Sequence, residues 1–451
     1  MSPTRAVGPL DKRRKVKRCL ACAHRRIKCE GGSPCVYCTR KKTACVQQQQ
    51  TNNKVVFVQQ SHLPGKPDTR GRLTNVVKRN QATCFLDAFV DFIQHNAFTM
   101  GFPFIIWDLL PLISTSPVLH QAVMAVGALH ANRNNVERAS VEVKVAAMRS
   151  YHMSMVALQE CLGDKNVVQR DDVLWATFFL GLFELLSEHS GEGWVKHMLY
   201  GTSKMLQLVG PSGCKSSLRR AFYDLFRVLE ASRSLLYNEE TILSQQCWLQ
   251  LHVCSDSDIT TRWEPMEEIT SLMIQASAFS LRARSLIKIV PELDRYTDAS
   301  ITILATEGLE IQATIYNWHT EALLRLSQGC FDGYIDLSLL YYHALLIFLS
   351  GNFDYFPYWN NIPAPVLCPM DVSDHLSAIL ELAEQILSQY KIPGVMLFFP
   401  LTVAGSRARD PAQRSQIVSL LDRVFRTGFL VANRVKIGIQ DRWVKRDEVA
   451  S

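Results

Sequence analysis

Residues 19–45 read CLACAHRRIKCEGGSPCVYCTRKKTAC, with six cysteines at Cys19, Cys22, Cys29, Cys35, Cys38 and Cys45. The spacing is C-x2-C-x6-C, five residues, then C-x2-C-x6-C again, an internal duplication with an offset of sixteen. Each half also repeats its cations: Arg25, Arg26 and Lys28 in the first, Arg40, Lys41 and Lys42 in the second. Two short basic helices are therefore expected after two C-x2-C turns. A structural zinc takes four ligands and each half offers three thiolates, so the ligands of two ions must be shared. Six thiolates fill eight ligand positions if two of them serve both metals, which makes a binuclear thiolate cluster the expected site. A disulfide knot needs an oxidising compartment, and the N-terminus opens on a basic run with no apolar signal. His24, the one histidine in the segment, cannot complete both halves.

Working outward, the charge is as uneven as the cysteines. The 451 residues carry a net +7, yet residues 1–80 hold nineteen Lys and Arg against three Asp and Glu, a net of +16 that leaves −9 on the remainder. Cations clustered in one segment attract a polyanion over distances that scattered charge does not reach. The densest run, Lys12-Arg13-Arg14-Lys15-Val16-Lys17-Arg18, reads both as a nuclear-import signal and as an arm adding phosphate contacts. So small a head cannot bury an apolar core, and metal bonds must supply its folding free energy.

These residues resemble the fungal zinc binuclear cluster, or Zn2Cys6, transcription factors, whose cysteine pattern residues 15–46 match at every position, with Pro34 in the joining loop. The resemblance implies that Cys19 and Cys35 bridge two Zn2+ ions, Cys22 and Cys29 completing one site and Cys38 and Cys45 the other. It implies that the first helix enters the major groove of double-stranded DNA at a CGG-type triplet, with Arg25 and Arg26 at base edges. Ala23 stands where the family usually has a cation, which removes a phosphate contact more than a base contact. Arg26 is the best base reader, since a guanidinium can bond guanine O6 and N7 together. The reading that follows is a nuclear, sequence-specific regulator of RNA polymerase II transcription, with secondary-metabolite genes the leading target class. A different reading makes the body a ligand-binding or enzymatic helical domain, with the zinc module as a protein-interaction tether.

After Cys45, Gln47–Asn53 and a Pro/Gly-containing stretch (Pro64, Gly65, Pro67, Gly71) read as a flexible linker over 46–80. No apolar heptads are present there, so pairing of two chains is expected through the body, if at all. The domain plan is a basic arm over 1–18, the zinc domain over 19–45, the linker, and an all-α regulatory body over 81–451. The fold class is mainly α. Helical periodicity runs through 141–162, 171–187, 194–209, 218–236, 269–290, 301–326, 337–349, 376–390 and 412–431. Ser116-Pro117 starts a helix whose Leu119, Val123 and Val126 share one face, with Gly127 and Ala128 admitting a close neighbour. The body also resembles the second type of the fungal-specific transcription factor domain, over Phe85 to Asn132 and Tyr151 to Pro211. Trp107, Trp175, Trp194 and His197 are expected in the core or at helix contacts. The seven scattered cysteines (Cys84, Cys161, Cys214, Cys247, Cys254, Cys330, Cys368) read as buried thiols.

No nucleophile elbow, P-loop, zincin or dinucleotide fingerprint is present, so no catalytic residue is expected. The apolar run Val173–Leu186 is too short to cross a bilayer, and no membrane partner is expected. Glu239-Glu240 and the acids from Asp256 to Glu268 read as solvated charge, of a kind that can also recruit coactivators or the transcription machinery.

Overall fold

The computed structural model describes Cys19, Cys22, Cys29, residues 34–42 and 44–45 of the head, and residues 70–134, 141–249, 265–327 and 332–450 of the body, 70–80 as backbone only. Two compact units result, 1–69 and 70–451. In the head one short helix is described, α1 (Val36–Arg40). The body holds α2 (Arg70–His95), α3 (Ile106–Thr115), α4 (Pro117–Asn134), α5 (Val141–Cys161), α6 (Asp171–Ser187), α7 (Glu192–Lys196) and α8 (Ser203–Val209). There follow α9 (Ser217–Tyr237), α10 (Gln246–Leu249), α11 (Pro265–Ile289), α12 (Ala299–Ser327), α13 (Gly333–Ser350), α14 (Pro369–Gln389), α15 (Phe398–Arg407), α16 (Pro411–Arg426) and α17 (Ala432–Ala450). Among the described residues the body is all helix and connection, as its periodicity foretells. Helix α2 begins at Arg70, inside the stretch read as linker.

Helix α6 is the core of the first half. Trp175, Phe178 and Phe179 are buried, and Trp175 meets Phe222 of α9 edge-on at 5.0 Å while Phe179 meets Phe89 of α2 at 5.0 Å. Rings packed edge to face add about 0.5–1.5 kcal/mol per pair beyond the area they bury. The start of α6 is tied to the start of α4: the Ser116 hydroxyl donates to Asp172 Oδ2 at 2.6 Å and accepts from the Leu119 N–H at 3.4 Å. Arg170 closes on the same carboxylate at 2.7 Å. Burial opposes the Asp172 charge, but the bonds from Arg170 and Ser116 outweigh it and hold the carboxyl below its ordinary value. Gly127 is required where it stands, because a Cβ there would lie 2.0 Å from the Phe85 carbonyl oxygen of α2.

Helix α13 (Gly333–Ser350) is long and apolar enough to span a membrane by composition, and 67% of it is buried against the helices packed around it. Its neighbours include α11, α12, α14 and α15. In α9 the ion pair of Glu230 and Arg233 is almost sealed from solvent, at 1% and 2% side-chain exposure, with bonds of 2.7 and 2.8 Å.

Several expectations are corrected. Trp175, Trp194 and His197 lie at core or helix contacts, but Trp107 is 71% exposed, because the face of α3 that carries it points away from buried Ile106, Leu109 and Ile113. The helix expected over 194–209 is broken into α7, a π turn over His197–Thr202 and α8. Trp194, Met198 and Thr202, at four-residue spacing, stay buried on one face across the widened π turn. The helix expected over 412–431 ends at Arg426, since Gly428 takes a φ of +112°, and α17 starts afresh beyond it.

The scattered cysteines are not uniformly buried: Cys84, Cys247 and Cys368 are exposed, Cys161 is half-buried and Cys214 is buried, while Cys254 and Cys330 lie outside the described residues. Cys368 is exposed because it caps α14, its Sγ accepting from the Asp371 N–H at 3.4 Å. Glu239 is more than solvated charge, since one of its oxygens reaches the buried Arg233 at 2.5 Å. Of the acids from Asp256 onward, those up to residue 264 are outside the described residues.

Candidate metal centre and nucleic-acid interface

Cys35 N-caps α1 and Cys38 lies within it, so one helical turn brings two thiols of the second C-x2-C to the same side. The Thr39 N–H and hydroxyl both donate to the Cys35 carbonyl, at 3.0 and 3.2 Å, which locks that turn. All six thiols gather: Cys19, Cys22, Cys29, Cys35 and Cys38 are buried and Cys45 is partly so, with Tyr37 packed against them. The sulfurs stand too far apart for disulfides, with Cys19–Cys35 at 3.7 Å, Cys19–Cys38 at 3.6 Å and Cys22–Cys35 at 3.7 Å. A disulfide needs about 2.05 Å, whereas four thiolates about 2.3 Å from one zinc lie about 3.8 Å apart along each tetrahedral edge.

The sulfurs fall into two groups of four, Cys19-Cys22-Cys29-Cys35 and Cys19-Cys35-Cys38-Cys45, with the ligand atoms of each group within 4.8 Å of one another. Cys19 and Cys35 belong to both. The backbone N–H of Cys22 pulls the Cys19 thiol below its ordinary value, and that of Cys38 does the same for Cys35. Cys22 is pushed up, first by burial and then by the thiols around it. The Cys35 N–H donates to Cys45 Sγ at 3.2 Å. So crowded a set of thiols cannot ionise together without cations among them, and an all-sulfur donor set suits zinc. The residues present therefore fit the metal that the cysteine pattern implies.

Arg40 closes the last turn of α1, and Lys41 and Lys42 follow it, all three exposed; Lys42 takes a left-handed φ of 48°, turning the chain back toward Cys45. Cations are thereby held within a few residues of the thiols Cys38 and Cys45. Arg25, Arg26 and Lys28, with the arm over 12–18, lie outside the described residues. The cysteine pattern announced all six thiols. What it could not announce is a cationic cleft in the body, whose arginines come from three separated helices.

A six-thiol head ahead of an all-helical body defines a class, a transcription regulator of the zinc-cluster kind. The family model of the fungal specific transcription factor domain matches residues 85–450, and the chain belongs to that family. Among curated proteins it is similar to the thiamine repressible genes regulatory protein of Schizosaccharomyces pombe, 38% identical over 52 residues, 12% of this chain and 7% of the relative. It is also similar to an uncharacterized protein of Emericella nidulans, 26% identical over 120 residues, 26% of each chain. The chain thus spans about a quarter or less of the length of these relatives. No solved structure matches.

Proposed function

We propose that this protein is a nuclear regulator of RNA polymerase II transcription that binds DNA by sequence through its head, the body pairing chains or meeting coactivators. The observation that carries the proposal is the pair of four-thiol groups sharing Cys19 and Cys35. Cys19 and Cys35 would bridge two zinc ions, Cys22 and Cys29 completing one site and Cys38 and Cys45 the other. The ions supply the order that so small a segment cannot draw from apolar burial. Arg25 and Arg26 then read base edges of a guanine-containing, CGG-type triplet. Lys28, Arg40, Lys41 and Lys42 contact phosphates, which gives affinity without sequence information. The fission-yeast relative's name, a regulator of thiamine repressible genes, supports genes of a metabolic pathway as targets, and secondary-metabolite genes are the class we propose first.

Selection of bound duplexes from random oligonucleotides by the full chain tests this reading. A guanine-containing triplet should be enriched, and Arg26→Ala should lower the preference for it by about 1–3 kcal/mol. Replacing Lys41 and Lys42 should weaken all sequences alike and reduce the salt dependence by roughly one phosphate contact each. Recovery of no preferred sequence, or an unchanged preference in Arg26→Ala, contradicts the proposal.

A further inference from the structure

In the body a cleft of ≈ 420 Å³ opens where α9, α11, α13, α15 and α17 approach one another. Its floor is apolar, with Leu235, Ile347, Phe399 and Trp443 all buried. Four guanidinium groups surround that floor, Arg284 from α11, Arg407 from the end of α15, and Arg442 and Arg446 from α17, and no carboxylate lines it. The partners of these cations decide what the cleft can take.

Arg407 is neutralised, since Asp354 accepts from its Nη2 at 2.8 and 2.6 Å, and its guanidinium lies 4.2 Å from the centre of the Tyr355 ring. Arg446 donates to the carbonyls of Ser406, at 3.1 Å, and Ala408, which satisfy its N–H groups but carry no charge. Arg284 and Arg442 are exposed and have no ion-pair partner among the described residues. Two exposed cations, Arg284 and Arg442, thus stand beside an apolar floor without an ion-pair partner among the described residues, and Arg446 adds a third charge that Asp447, itself paired with Arg414, offsets only in part. Such a constellation repels itself, and a bound anion relieves it.

We propose that this cleft binds an amphipathic organic anion, an acyl chain or ring system seated on the apolar floor with a carboxylate or phosphate head among Arg284, Arg442 and Arg446. A volume of ≈ 420 Å³ is that of a small-molecule site rather than a macromolecular one. The planar guanidinium fork matches both head groups, and the helices supplying it lie in the second half of the body, where an occupant would brace α17 against α11. The inference concerns the body alone and stands whether or not the head reads DNA.

Titration calorimetry on the full chain tests it with three probes below their aggregation limits: decanoate, decyl phosphate and 1-decanol. Decanoate and decyl phosphate should each bind at least tenfold more tightly than decanol, and the stronger of the two identifies the head group. The double variant Arg284→Ala, Arg442→Ala should lose at least tenfold in affinity for the anions while its binding of decanol stays the same. Gly351→Leu should weaken all three, because Gly351 lines the cleft and a Cβ there already lies 3.3 Å from Arg407 Nη2 and from the Tyr355 ring. Its φ of −65° accepts any side chain. Equal binding of decanoate and decanol, no binding of any probe, or unchanged anion affinity in the double variant overturns the proposal. The double variant replaces exposed side chains, so a wild-type melting temperature certifies its fold independently of Gly351→Leu.

Discussion

The head and the body are both built around buried side chains, yet their interiors are opposite in kind. In the body, burial is of rings and aliphatic chains: α6 alone sinks Trp175, Phe178, Phe179 and Phe183 into one continuous core. Among the described residues of the head what is buried is sulfur, with five of the six clustered cysteines shielded from solvent and Tyr37 packed against them. Apolar burial is self-sufficient, whereas clustered thiols are a favourable interior only when a cation neutralises their thiolates. On the proposed function, the body is therefore expected to fold on sequence alone, and the head on sequence plus the metal its thiols would hold.

The largest expected effect breaks that contrast at the shared ligand. Cys35→Ser removes one sulfur from both four-thiol groups while leaving a residue suited to N-cap α1, so both metal sites and DNA binding should be lost together. The melting transition of the body, a separate compact unit, should not move. Measured metal content and calorimetry on the full chain check both halves of the statement, and a body destabilised in step with the head would refute the separation.

A smaller effect concerns a place where the body departs from its own rule. The buried Arg233 is held by Glu230 within α9 and by Glu239 beyond it. Glu230→Ala should cost about 1.5–3 kcal/mol in denaturant unfolding, because it removes two charge-assisted bonds to the buried Arg233 and leaves Glu239 to hold it alone. Double replacement by apolar residues of matching volume should cost much less, and metal content should be unchanged in both.

The smallest effect is a pH slope. His343 of α13 and His375 of α14 share a hydrogen bond, Nδ1 to Nδ1 at 2.8 Å, with His319 stacked on Tyr342 at 4.0 Å beside them. Burial, and next the charges of His375 and His319, push His343 down to about 3. Burial lowers His375 too, against the opposing pull of Asp371 and Asp374. The unfolded chain takes a proton at His343 below about pH 6.5 while the native state refuses it, so this group leaves stability intact above that pH and erodes it as pH falls toward 3. His343→Asn should flatten the curve, recovering about 1–2 kcal/mol of the loss between pH 7 and pH 5. Parallel curves for the two proteins would show that His343 titrates freely in the fold.

How much of this was legible beforehand follows the same division. The thiol set was readable because metal ligation demands particular residue types at particular spacings, and the ligand count, six thiols for eight positions, pointed to sharing. The helical body was readable from periodicity, down to the cap at Ser116 and the close approach at Gly127, because those are local constraints. Trp107, the break at Gly428 and the exposed Cys84 and Cys247 were not, since exposure depends on which neighbours a face meets. The cationic cleft was least legible of all: Arg284 and Arg446 are far apart in sequence, and only the tertiary packing of the helices around the cleft brings them to one mouth.

The account rests on two thiol groups that share Cys19 and Cys35, and the number of metal ions they hold tests it most directly. Native mass spectrometry of the full chain, with alkylation of accessible thiols, should find two zinc ions per chain and all six clustered cysteines protected, while Cys84, Cys247 and Cys368 react. One zinc per chain, or two of the six thiols reacting as fast as Cys84, would contradict the shared-ligand cluster.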